Sequence, residues 1–203
     1  MKQLCALIAI VFAITGTGFA QGQAADRAAG RKNSDQVERL LQFTESKVMA
    51  VAEAMPAEKY GFAPSAGEFK GVRDFREQLK HIAADNYLDG ATLLGETNPP
   101  GNLRPGENGS ESVKTKAEVI AYLKDSFAYL HRAVRTMDDD NAPLPRPHFL
   151  PYGPATTTRL LIMIANIGHT NDHYGQLVEY LRMNGIVPPA SRRSRRKTPA
   201  SGH

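Results

Sequence analysis

Apolar side chains return every three or four residues in four separate stretches of the chain, the spacing of one buried helix face. Val37, Leu40, Leu41, Thr44, Val48, Val51, Ala52 and Met55 form the first stripe, and Pro56 ends it. Asp35 followed by Glu38 has the spacing of a capping box and predicts the start of that helix. The second helix is expected from about Val72 to Leu94, with Phe75, Leu79, Ile82, Ala83, Tyr87, Ala91 and Leu94 inward. The third, from about Lys116 to Met137, carries Val119, Leu123, Phe127, Leu130 and Val134. The fourth runs from about Ala155 to Asn184, with Pro154 suited to its first turn, Gly185 as its C-terminal cap, and Pro188 and Pro189 beyond. Thirty helical residues would span roughly 45 Å.

No segment reads convincingly as a strand, so the pattern predicts an all-α fold, a four-helix bundle. The connections at 95–114 and 138–154 are rich in glycine and proline. They are long for a simple hairpin bundle and leave room for crossovers and for loops that roof a pocket. Phe149 and Leu150 in the second of them are candidates to cover one end of the core.

Composition adds limits. Of 203 residues, 41% are apolar, enough for a packed core. The single cysteine, Cys5, excludes a disulfide framework and a cysteine-based zinc finger. Residues 1–20 have Lys2, an apolar run from Leu4 to Ile14, and small residues at Gly18 and Ala20. This reads as a secretory signal peptide cut after Ala20, so the chain is expected to be exported, periplasmic or secreted. Residues 21–33 read as a polar leader, 34–191 as the bundle, and 192–203 as a disordered basic tail. The apolar run is too short to span a bilayer, and no transmembrane span is expected after cleavage.

The formal charge is +4. It falls to −2 once Lys2 and the five basic residues between Arg192 and Lys197 are set aside. The body thus has no basic excess, and nucleic acid is not an expected partner.

Six histidines carry the candidate chemistry. His148 lies in a proline-rich loop and His203 is terminal. His169 and His173 stand one turn apart on one face of the fourth helix, so both rings can reach one metal ion. No glutamate follows His169, which excludes the zinc-protease helix motif. A third ligand would complete a site with an open position. His81, between core positions Leu79 and Ile82, and His131, beside Leu130, both qualify, and periodicity does not choose between them.

Two runs go further. Gln78-Leu79-Lys80-His81-Ile82-Ala83-Ala84-Asp85-Asn86-Tyr87 resembles the second-helix signature of the DinB-like family. The run from His169 to Pro189, with His-x-x-x-His followed by Tyr-Gly-Gln, resembles its last helix and exit. The resemblance covers roughly residues 35–191. It implies a bundle of up-down-down-up topology and a divalent-metal site formed by His81, His169 and His173, leaving His131 as a core or surface residue. Imidazole ligands suit zinc or nickel first, with iron or manganese behind them. An ion so held lowers the pKa of a water in its open position towards 7, or binds a thiol as thiolate. Some relatives are thiol S-transferases, others have hydrolase-like or isomerase activities, and relatives are often homodimers. The resemblance thus implies a metal-dependent hydrolase or transferase acting on an unidentified small molecule. The alternative is a non-catalytic metal- or ligand-binding bundle of the cell envelope. Export argues against a thiol co-substrate, because low-molecular-weight thiols are chiefly cytosolic.

Asp85, one turn after His81, and Asn166, three residues before His169, are candidates to fix a ligand tautomer. Asp172 is expected to be solvated, and Tyr174 and Gln176 to pack or line the cavity mouth. Gly168 and Gly175 weaken their helix, which a close helix approach near the metal would explain.

Overall fold

The computed structural model describes residues 33–103, 108–143, 145–147 and 156–192. The expected signal peptide, the leader as far as Lys32, the basic tail beyond Arg192, and Phe149 and Leu150 lie outside these residues. Four helices dominate: α1 Asn33–Ala54, α2 Phe75–Leu94, α3 Lys116–Val134 and α4 Arg159–Met183. Among the described residues, no helix is long and apolar enough to cross a membrane.

The ends of the helices show which local signals matter. Asp74 accepts from the Glu77 backbone N–H at 2.7 Å while the Glu77 carboxylate accepts from the Asp74 N–H at 3.0 Å, a complete capping box that starts α2. Thr115 and Glu118 repeat it at the start of α3. The expected box at Asp35 and Glu38 is not the start of α1, because the chain is already helical at Asn33. Glu38 instead reaches across to α3, where its Oε2 lies 2.9 Å from His131 Nδ1.

The expectation for α4 needs correction as well. Thr156–Thr158 pairs antiparallel with Pro145–Pro147 as a two-stranded ribbon, where the pattern predicts no strand. The Thr158 hydroxyl accepts from the Leu161 N–H at 3.1 Å, so the helix starts at Arg159. Three β-branched threonines in a row favour extended backbone over a helical first turn. At 25 residues, α4 is roughly 37 Å long. Its end is as expected: Gly185 adopts φ 73°, and the Ile186 N–H bonds to Leu181 O at 2.9 Å.

α1 packs against α3 and α4, and α2 packs against the same two helices. Asn86 of α2 meets Ser126 of α3, and Gly90 meets Leu130, so these two helices run in the same direction. A Cβ at Gly90 would stand 2.6 Å from the Tyr129 ring, so glycine permits this close approach. Thr44 meets Asn171 and Lys47 meets Tyr174, so α1 and α4 are also parallel. Gln78 with Gln176 and Asn86 with Asn166 set α2 against α4 head to tail.

The core contains the expected stripes. Phe75, Leu79, Ile82, Val119, Leu123, Phe127, Leu130, Ile162, Met163 and Leu177 are almost fully buried, and each large apolar side chain contributes about 1.5–3 kcal/mol. Leu40 breaks the expectation for α1 and is half exposed. The connection after α1 packs onto the core. Tyr60 lies edge-on to Phe75 and donates to Ala52 O, and Phe62 lies edge-on to Tyr180. It delivers residues 71–74 to the open end of the α2–α4 seam.

Candidate metal centre

His81 sits mid-way along α2, and His169 and His173 lie one turn apart on α4. Because the helices are antiparallel, the three rings meet in the seam, with centroids 4.5–5.1 Å apart. His81 and His173 are buried, and His169 stands at the rim. One ligand nitrogen from each ring falls within 4.8 Å of the other two, so the cluster could hold a metal ion. Two imidazoles on one tetrahedral zinc stand roughly 3.3 Å apart at the ~2.0–2.1 Å Zn–N length. Small ring rotations reach that spacing from the present one, so the donor set fits.

Neighbouring side chains fix which nitrogen faces inward. Asp85, one turn below His81, has Oδ2 2.8 Å from His169 Nδ1 and 3.5 Å from His81 Nε2. A carboxylate only accepts, so His169 carries a proton on Nδ1 and turns Nε2 inward. For His173 the same result comes through two amides. Asp172 Oδ2 accepts from Gln176 Nε2 at 3.1 Å, and Gln176 Oε1 accepts from Gln78 Nε2 at 2.7 Å. Gln78 Oε1 is then left to accept from His173 Nδ1. The polarity of the whole chain follows from the carboxylate at its far end. His173 and His169 consequently point Nε2 at Nε2, 2.7 Å apart. Two ring nitrogens at that distance need a proton or a cation between them.

The electrostatics separate the two rings of α4. Burial pushes the His173 pKa down to about 3, and His169 and His81 add to the shift, so the ring is neutral at pH 7. The hydrogen bond to Asp85 raises the pKa of His169 against its partial burial.

Residues 40–177 match the DinB superfamily, a span of more than half the chain. The chain belongs to the DinB superfamily. Among curated proteins none matches it. Membership in this metal-binding family agrees with what the histidines alone suggest.

In this DinB bundle His131 is remote from the cluster. It lies on the α1–α3 seam with Nδ1 2.9 Å from Glu38 and Nε2 2.9 Å from Glu45. Asp85 touches two of the three histidines. Asn166 lies deeper in the seam, donating to Asp89 Oδ2 at 2.9 Å and more weakly to Asn86 Oδ1, while its own buried Oδ1 has no hydrogen-bond partner among the described residues. Asp172 is exposed but not merely solvated, because it anchors the amide chain. Gln176 lines the cavity mouth as expected, and the Tyr174 ring packs under the Lys47 ammonium. Gly168 and Gly175 do not mark a close helix approach, since a Cβ at either would meet nothing within 4 Å.

Sequence reasoning missed Gln78, Arg73 and Asn108. Gln78 is buried and bonded to a candidate ligand, while Arg73 and Asn108 line the cavity outside His173. The spacing of Gln78, three residues before His81 and so on the same helix face, was the signal available for the first.

Proposed function

We propose that this DinB protein binds a divalent metal ion, zinc or nickel ahead of iron or manganese, through His81, His169 and His173. We propose further that it uses the ion for hydrolase- or transferase-type chemistry. The observation that carries this reading is the convergence of three ring nitrogens, with Nε2 of His169 and Nε2 of His173 2.7 Å apart. The ion, when bound, supplies Lewis acidity that brings the pKa of a water or thiol near neutrality. The rest of the chemistry belongs to the chain. Asp85 keeps the His169 proton on Nδ1, and Gln78 does the same for His173, so both rings offer Nε2 without a tautomeric change. Burial of His81 and His173 keeps bulk water from two of the three donors.

The reading includes export after cleavage behind Ala20. Scarcity of small thiols outside the cytosol then favours hydrolysis over thiol transfer. It includes the up-down-down-up order, which the parallel α2–α3 and α1–α4 pairs support. It also includes a homodimer, for which exposed Leu40 and Phe43 on α1 and Leu161 and Ile164 on α4 supply apolar surface. Light scattering tests the dimer, and N-terminal sequencing of the exported chain tests the cut.

The deciding experiment measures metal in the purified mature protein by mass spectrometry, alongside the variant with all three histidines changed to alanine. Near-stoichiometric metal in the first and none in the second is expected. Equal metal in both would overturn the assignment. Ester, amide and thiol-transfer substrates presented to the metal-loaded protein then identify the reaction class.

A further inference from the structure

A cavity of about 500 Å³ opens beside His173. Its wall combines the loop before α2 (Gly71, Val72, Arg73), Asn108 from the connection before α3, and Gln78 and Gln176. Among the described lining residues the arginine is Arg73, and the structure braces it at two points. Tyr180 of α4 donates its hydroxyl to Arg73 O at 3.1 Å, and Arg73 Nε donates to Asn108 Oδ1 at 2.8 Å. Among the described residues, Nη1 and Nη2 of Arg73 make no hydrogen bond or ion pair, and neither does Nδ2 of Asn108. A half-buried guanidinium is thus held at its Nε edge with its terminal fork unused. Beside it, the Asn108 amide has spent its oxygen and kept its donor. Both unused groups can only donate, and they line one cavity.

We propose that this cavity binds the carboxylate of a small organic acid, gripped by the Arg73 fork and the Asn108 amide. Planar two-point acceptance matches a carboxylate to guanidinium. Net charge sets the class. Glu77 lines the same cavity with its carboxylate committed to the α2 cap, so among the described lining residues a second negative charge, as on a phosphate monoester, would meet that carboxylate and no second arginine or lysine. Val72 and the neutral amides leave room for a body of modest polarity. Because His173 shares this cavity, the bound acid would lie alongside the histidine cluster. Its role as substrate therefore rests on the metal-site reading above, whereas its binding does not.

The test separates the two. N-acetylglycine, its neutral amide analogue N-acetylglycinamide, and inorganic phosphate are titrated into metal-free and metal-loaded protein by NMR. Metal content is measured on the same samples. The acid is expected to bind both forms, at least about tenfold more tightly than the amide or phosphate. Arg73→Gln should abolish that preference, and Arg73→Lys should restore part of it, with metal content and melting temperature unchanged. Unaltered acid binding in Arg73→Gln, binding that disappears whenever metal is removed, or a preference for phosphate would each overturn the proposal. So would the absence of acid binding in wild-type protein. A protein that binds no metal but keeps Arg73-dependent acid binding would refute the metal reading and leave this one standing.

Discussion

Buried histidines occupy two seams of the same bundle, and they differ in what surrounds the rings. On the α2–α4 seam, His81, His169 and His173 face one another, and the acceptors Asp85 and Gln78 sit behind two of them. On the α1–α3 seam, His131 stands alone between Glu38 and Glu45, with a carboxylate 2.9 Å from each nitrogen. Each nitrogen of this ring faces a carboxylate oxygen, so neither edge is turned towards a second histidine. The three histidines turn ring nitrogens towards one another, whereas both edges of the His131 ring face carboxylates. The comparison teaches that a buried histidine is assigned by what lies behind its nitrogens, more than by burial or by position on a helix.

The sharpest way to break the comparison is to remove one histidine from each seam. His173→Ala is expected to weaken metal affinity by more than about 100-fold, since it deletes a donor outright, while His131→Ala leaves it unchanged. Isothermal titration with zinc and nickel measures both. Equal losses would mean that the two seams are not chemically distinct. The next effect is smaller. Asp85→Asn and Gln78→Leu each leave the three rings in place but release a tautomer, and a loss of about 10–100-fold in affinity is expected. An effect from Asp85→Asn alone would place the orienting role in the carboxylate and remove it from the amide chain.

The metal-free protein adds a pH signature. His173 has its pKa lowered from 6.5 to about 3 in the folded state, mainly by burial. Between those values the unfolded chain binds the extra proton, so this group's contribution is complete above pH 6.5 and is lost as pH falls towards 3. His169, raised by Asp85, works the other way: its contribution is present at low pH and is lost as pH rises through its folded pKa. Urea midpoints at pH 7 and pH 5 should fall less for His173→Gln than for wild type. An unchanged pH slope would show that the ring is not neutral in the fold. Last comes stability at neutral pH, where His131→Ala leaves Glu38 and Glu45 without their shared partner and should cost about 1–3 kcal/mol by urea denaturation.

Much of this was legible in the sequence, because helical periodicity and local caps report on the residues that make them. The α3 stripe is buried at every expected position, and Gly185 ends α4 where its sequence places it. Local signals misled where a distant partner competes. Asp35-x-x-Glu38 has the same spacing as the working boxes at Asp74 and Thr115, but Glu38 is drawn to His131, 93 residues away. The choice between His81 and His131 was closed to periodicity because each ring follows a core position on a buried face. It takes the partner helix to distinguish them. The resemblance to DinB proteins picked out His81, and the structure brings that residue to the α4 pair. Arg73 and Asn108 were out of reach, since both stand in connections whose course no repeat encodes.

The relay from Asp172 through Gln176 and Gln78 has a consequence for how such a centre could be tuned. A solvent-facing carboxylate dictates the orientation of an imidazole three side chains inward. Asp172 is exposed, so a substitution there is expected to disturb little of the packed interior. Donor strength, and with it the choice among ions, could therefore be adjusted from the surface without redesigning the core.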